Sequence, residues 1–514
     1  MNINRRSMLA VLASAGFMPQ FGDTAYAKDH AVEKIDLGNK RPFSKKGLHD
    51  YAKEKSKQDY IESDTVPQDW TDLTYDQYRN INFNSDSALW KDNASFDAEF
   101  FAPGLYFSSP VKISIVENDV SQQVLFSRDV FEYGELVPEL SNAPSLGYSG
   151  FRLRNPINTP DRKEEFVLFQ GASYFRAVAK DQFYGISARG LAVNTADASG
   201  EEFPSFREFW IEKPEADAEA VLVHALLDSP SVVGIYSFLI TPGKNTEMKV
   251  ECTLFPRQEL SHVGIAAETS MFLFNESDRS RFNDFRRAVH DSEGLLIENG
   301  AEEILWRALT NPVELQISSF VDDNPRGFGL MQRSRELEDY SDLEANYHKR
   351  PGLWVIPGES WGKGAVTLVE IPADKEIYDN IVAYWRPQAP LTPGNEHTFS
   401  YTLVWCDEAP IAKDVAPIVD SRLGKRVFEE GRLAYVDFAP NSALPDKLED
   451  ITIHVSSNVG SVSDGVLQRN PKTGGLRLSF TFFPGDEKLM ELRAQLLVDE
   501  ANVSEVWLYR WTTA

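Results

Sequence analysis

Residues 111–116, Val-Lys-Ile-Ser-Ile-Val, alternate apolar and polar side chains. That period of two is the signature of a half-buried β-strand. Similar short apolar runs occur at 232–241, 315–321, 365–371 and 398–405, set between Gly, Pro, Asn and Asp punctuation. Helical periodicity is confined to 44–59 and 71–78, so the pattern predicts an all-β protein. After Cys406 the composition shifts, and 407–417 carries the proline and charge content of a linker. Beyond it come about seven strand candidates, among them 432–438, 450–456, 476–483, 489–498 and 503–511, which predict a small immunoglobulin-like β-sandwich over 418–514. No Cys…Trp…Cys signature accompanies them. Residues 28–406 hold too many strands for one small sandwich. They predict large sheets packed face to face, an architecture that can offer a polymer an open groove. No internal repeat of solenoid length is present.

The N-terminus changes the picture of where the chain works. Arg5 and Arg6 precede an apolar run at 8–21 and then Ala25-Tyr26-Ala27. This is a signal peptide with cleavage expected after about Ala27. The paired arginines point to twin-arginine export, which places the mature chain, starting at Lys28, in the periplasm. The apolar run is too short to span a bilayer, and no other stretch is long enough.

The formal charge is 52 − 78 = −26. A surface that acidic repels phosphate backbones and argues against nucleic acid as a partner; a neutral polymer meets no such penalty. Cys252 and Cys406 are the only cysteines, and a disulfide between them or two buried thiols both fit.

Much familiar chemistry is missing. There is no G-x-S-x-G elbow and no phosphate-binding P-loop. Gly327-Phe328-Gly329 lacks the third glycine of a dinucleotide loop. The eight histidines are scattered, without the close pairing of a zinc site. No metal or organic cofactor is expected, and carboxylates are left to carry any acid–base chemistry.

Several stretches are more specific. They are Tyr184-Gly-Ile-Ser-Ala-Arg-Gly-Leu-Ala192, Gly200-Glu-Glu-Phe-Pro-Ser-Phe-Arg-Glu-Phe-Trp-Ile-Glu212, Ala225-Leu-Leu-Asp-Ser-Pro230 and Thr269-Ser-Met-Phe-Leu-Phe274. Further on come His290-Asp-Ser-Glu-Gly-Leu295, Asn324-Pro-Arg-Gly-Phe-Gly-Leu330, Trp361-Gly-Lys-Gly364 and Asp379-Asn-Ile-Val-Ala-Tyr-Trp385. Together they resemble the periplasmic glucans biosynthesis G/D family over essentially the whole mature chain, most densely from 170 to 390. The resemblance implies a large N-terminal supersandwich of galactose-mutarotase-like type, followed by an immunoglobulin-like sandwich. It also implies action on osmoregulated periplasmic glucans, whose backbone is β-1,2-linked. The twin-arginine leader looks like that of D-type members, which are inverting endo-β-1,2-glucanases. The resemblance further assigns Asp379 as general acid and Asp291 as general base. The implied partners are β-1,2-glucan and the inner-membrane glucan synthesis machinery, with a homodimer as one option. A non-catalytic glucan-binding or scaffolding protein is the alternative, and a glucan-remodelling transferase is a weaker third.

The residues also have readings of their own. Asp379 precedes the apolar run 381–385, and a carboxyl at the mouth of a buried strand is a place where desolvation favours the protonated form. Taken alone, Asp379 and Asp291 also read as turn residues. His290 reads equally as support for the site or as a structural histidine. Tyr347, Trp354, Trp361 and Trp385 fall near these motifs, and aromatic rings take the C–H faces of sugars; each reads as core too. The charged stretch 333–352 has the composition of a loop that closes over glucan, bringing Arg335, Tyr347 and Arg350 to the sugar, or of a solvated excursion. Arg189 and Glu202 suit either sugar hydroxyls or a structural ion pair.

Overall fold

The computed structural model describes residues 35–513 apart from 93 and 94. The expected leader and its expected cleavage site lie outside the described residues. Strands account for 47% of the chain and helices for 7%, so the fold is all-β, as the alternation predicts. The chain forms two compact units. One runs up to Ala267 and includes Tyr384–Cys406; the other comprises Glu268–Ala383 and Asp407–Ala514.

In the first unit, one sheet orders its strands Leu37–Pro42, Val120–Val124, Lys112–Glu117, Ser205–Glu212, Val221–Asp228, Val232–Thr241, Thr246–Pro256 and His397–Cys406. Strand Thr246–Pro256 shows why these sequences become strands. Glu247, Lys249 and Glu251 face solvent while Met248, Val250 and Cys252 face inward, which is the pleat read directly. A second sheet contains Asp97–Phe101, Gly150–Thr159, Arg162–Gln170, Tyr174–Ala177 and Ser187–Arg189. Aromatic rings join the two sheets. Phe169 meets Phe206, Phe209 and Phe238 edge-on at centroid distances of 6.4, 5.6 and 5.3 Å, and Phe175 meets Phe238 at 5.3 Å. These T-shaped contacts suit the ring quadrupole and make the unit a β-sandwich. The helix expected at 44–59 is Lys45–Ser56, capped by Ser44 Oγ, which accepts from Gly47 N–H at 3.0 Å. Its Leu48 and Ala52 pack with Val233 and Phe255. Cys252 and Cys406 are buried free thiols, and burial pushes the Cys252 thiol up to about 12.

In the second unit, a sheet runs Gly352–Pro357, Gly327–Met331, Gly294–Glu298, Ile304–Ala308, Val506–Thr512, Leu489–Val498 and Thr452–Ser457. Ile304–Ala308 and Val506–Thr512 pair in parallel, with Trp306 opposite Trp507. The C-terminal strands therefore continue a sheet begun some two hundred residues earlier in the chain. Strands Ile418–Lys425, Arg432–Phe438 and Leu476–Phe483 form part of another sheet. Phe480 contacts Trp507 at 5.8 Å and Phe482 contacts Trp511 at 6.2 Å, closing a small sandwich.

Candidate active site

His290, Asp291, Arg335, Tyr347, Arg350, Trp354, Trp361 and Asp379 lie in the second unit, whereas Arg189, Glu202 and Trp385 lie in the first. Strand Phe272–Phe274 pairs with the two-residue strand Val289–His290, with Phe272 opposite His290. One residue further on, the Asp291 N–H donates to Met271 O at 2.8 Å. Asn380 bonds the same short segment. Its Oδ1 accepts from Phe272 N–H at 2.8 Å, and its Nδ2 donates to Phe272 O at 2.9 Å and Ile371 O at 3.0 Å. The chain neighbour of Asn380 is Asp379. The segment Met271–Phe272 thus bonds the backbone of Asp291 and the side chain of Asn380, the chain neighbour of Asp379. Both acidic residues are buried, Asp291 to 4% exposure and Asp379 to 2%.

The segment 333–352 builds the wall beside Asp291. Part of it is buried and part faces solvent. A helical turn, Leu337–Tyr340, starts where the Asp339 carboxylate accepts from Glu336 N–H at 3.0 Å, and Tyr340, Ala345, Tyr347 and Arg350 are buried. Arg350 Nη1 lies 2.5 Å from Asp291 Oδ1. Its Nε and Nη2 donate to Ala345 O at 3.1 and 2.9 Å, and its guanidinium sits 4.4 Å above the Tyr347 ring. Arg335 braces this arrangement through Arg350 O at 2.5 Å and Asp407 O at 3.1 Å. Burial holds the Tyr347 hydroxyl far above its ordinary pKa against the opposing charge of Arg350. It therefore keeps its proton, which it donates to Glu376 Oε2 at 3.1 Å. Arg286 completes the wall, with Nη1 2.7 Å from Glu376 and 2.9 Å from Asp342, and Nη2 2.8 Å from Asp284.

His290 is enclosed. It stacks on Phe272 at 5.4 Å and 13°, and burial lowers its pKa, favouring the neutral ring. Gln332 directs its amide nitrogen to His290 O and Tyr347 O, each at 3.2 Å, and its Oε1 to His290 Nδ1 at 2.8 Å. Nδ1 is thus the protonated nitrogen. This histidine positions the strand before Asp291. The Tyr347 ring, Trp354, Trp361 and Trp385 are likewise buried, with Trp354 laid over Gly327 where a Cβ would collide with the indole. None of these rings offers a sugar an open face. Arg335 and Arg350 are committed to backbone and Asp291 contacts, so in this conformation they shape the site rather than face the solvent. In the other unit, Arg189 pairs with Glu201 at 2.8 Å, while Glu202 accepts from Ser231 Oγ at 2.6 Å; both are structural.

Next to His290 and Arg335 opens a polar cleft of about 310 Å³, also lined by Glu293, Arg333, Asp420 and Arg422. Among the described residues no group of three or more His, Cys, Asp or Glu is arranged to hold a metal ion. Sequence reasoning did not find Arg286, Glu376 or Gln332. The one available signal was the run Arg279, Arg281, Arg286, Arg287 in so acidic a chain.

Residues 43–511 match the family model described as periplasmic glucan biosynthesis protein, MdoG. The chain is similar to glucans biosynthesis protein G of Vibrio cholerae serotype O1, at 46% identity over 91% of this chain and 88% of the relative. It is 41% identical to glucans biosynthesis protein G of Shewanella frigidimarina, over 95% of this chain and 89% of the relative. A solved polysaccharide lyase aligns at 12% identity over 73% of this chain and 46% of its own, with a TM-score of 0.18, too weak a likeness to bear on the fold.

Proposed function

Because the chain belongs to the periplasmic glucan biosynthesis protein family, we propose that its role there is that of an inverting endo-β-1,2-glucanase, with Asp379 as general acid and Asp291 as general base. The observation that supports this reading is that one short segment, Met271–Phe272, bonds both the Asp291 N–H and the side chain of Asn380 beside Asp379, two buried acidic positions remote in sequence. Inverting hydrolysis needs two carboxyl groups held apart with room for one water. Asp379 gives its proton to the glycosidic oxygen as that bond breaks. Water attacks the anomeric carbon from the opposite face and loses its proton to Asp291. Arg350 occupies Oδ1 of Asp291, which leaves Oδ2 for the water. Burial disfavours charge on a carboxyl, and an acid that stays protonated near neutral pH needs such surroundings. The products are a new reducing end of inverted configuration and a shorter chain, with no covalent intermediate.

The D-type specificity rests on the Arg5-Arg6 leader and on the two intact carboxylate motifs, and twin-arginine export to the periplasm goes with it. The test is incubation of the purified mature protein with linear β-1,2-glucan, following chain length by chromatography. Shortening by the wild type, lost in Asp379→Asn and Asp291→Asn, supports the reading. Polymer that is bound but left intact overturns it in favour of a glucan carrier or scaffold. That second reading draws on the relatives, which are named for biosynthesis.

A further inference from the structure

We propose that Phe285, Leu343 and Ile377 form an apolar rim at the candidate active site that takes the C–H face of a glucosyl unit of bound β-1,2-glucan; this rests on the glucan reading above. These side chains are 83%, 80% and 40% exposed. Single exposed apolar residues are common on protein surfaces, but these three flank one ion cluster in sequence. Each is the chain neighbour of a member of one ion cluster: Phe285 of Arg286, Leu343 of Asp342, and Ile377 of Glu376. Arg286 Nη1 draws that cluster together at 2.9 Å from Asp342 and 2.7 Å from Glu376. Three segments distant in sequence are thereby pinned with an apolar side chain held out from each.

The cluster leads straight to the chemistry. Glu376 accepts from Tyr347 Oη, Tyr347 underlies Arg350, and Arg350 holds Asp291. Glu376 also stands three residues before Asp379. A pyranose ring has an apolar C–H face and a hydroxyl-bearing edge, and a rim of Phe, Leu and Ile framed by carboxylates and a guanidinium matches both. The aromatic rings near the site motifs are buried, so the rim supplies the apolar contact that they do not. A stable protein interface buries about 1,600 Å² in total, far more than three side chains offer, so the rim fits a sugar better than a protein partner.

The experiment measures binding of linear β-1,2-glucan by affinity electrophoresis, and KM and kcat for chain shortening, in wild type, Phe285→Ser, Leu343→Ser and the double variant. Each single change is expected to weaken binding about 5-fold and to raise KM in parallel, with kcat within about 2-fold, the pattern of lost uniform binding. The double variant is expected to lose about 20-fold or more. Phe285→Tyr keeps the ring and is expected to bind as wild type, which separates loss of contact from loss of fold. A double variant that binds glucan as tightly as wild type overturns the proposal. If wild type binds but does not cleave, the hydrolase reading fails while the rim is still judged on binding alone. If wild type does not bind linear β-1,2-glucan at all, both fall.

Discussion

Arg350 and Asp291 form an ion pair at 2.5 Å in which both side chains are buried. Geometry of this kind offsets the desolvation of two charges only while both partners remain. Arg350→Ala strands a carboxylate and removes the two bonds to Ala345 O. It should lower stability by about 3–5 kcal/mol, read by urea denaturation. Arg350→Lys should recover only part of this, since an ammonium lacks the planar fork that serves Asp291 and Ala345 together.

The two carboxylate variants should differ in stability even though both lose cleavage. General acid or base catalysis is worth about 10²–10⁴-fold, so Asp379→Asn and Asp291→Asn should each reduce chain shortening by at least about 100-fold. Asp291→Asn also leaves Arg350 without its counter-charge and should melt lower than Asp379→Asn. Equal melting temperatures for wild type and Asp291→Asn would mean that the ion pair contributes nothing to the fold.

Asn380→Ala probes the fastening of the segment beside Asp379, the proposed acid. Two carbonyls and one N–H lose their partner, at a cost of about 1–3 kcal/mol for each buried group left unmet. A small displacement of Asp379 should cut kcat by about 100-fold while the glucan dissociation constant changes little. Equal losses in kcat and binding would instead indicate general unfolding of the site.

Glu268 gives a pH signature. It is fully buried, Oε2 accepts from Leu330 N–H at 2.7 Å, and Oε1 has no hydrogen-bond partner among the described residues. Burial raises its pKa well above the ordinary 4.5, with the Leu330 bond opposing. Below about pH 4.5 both folded and unfolded chains hold the proton. As pH rises from there, the unfolded chain releases its proton first. The native state loses up to about 1.4 kcal/mol per pH unit until its own Glu268 titrates. Glu268→Gln should therefore match wild type near pH 4 and exceed it at pH 7–8 by roughly 1–3 kcal/mol. Thermal melting across that range checks both halves; a constant offset at every pH would refute the account.

The half-buried strands were legible because each carries its own alternation: 232–241 is the strand Val232–Thr241 and 398–405 lies inside His397–Cys406. Val263–Ser270 is buried at every position and so has no alternation to read. The parallel pairing of Ile304–Ala308 with Val506–Thr512 leaves no local trace either, since hydrogen bonds between remote strands are indifferent to side-chain identity. Asp291 and Asp379 read as turn residues on their own, and only whole stretches of sequence around them marked them out. Trp354 reads as platform or core in sequence, and its packing over Gly327, where a Cβ would collide with the indole, makes it core. The Arg286 cluster gathers Asp284, Asp342 and Glu376, of which only Asp284 is near in sequence.

The bonds that Met271–Phe272 makes beside Asp291 and Asp379 have a mechanical consequence for the proposed reading. Loops that give way to a polymer ordinarily spoil the alignment of whatever they carry. Here the Asp291 N–H and the Asn380 side chain beside Asp379 both bond one short piece of backbone, which on the proposed reading acts as a jig. The spacing between the proposed acid and base would then be set by that segment rather than by the loops.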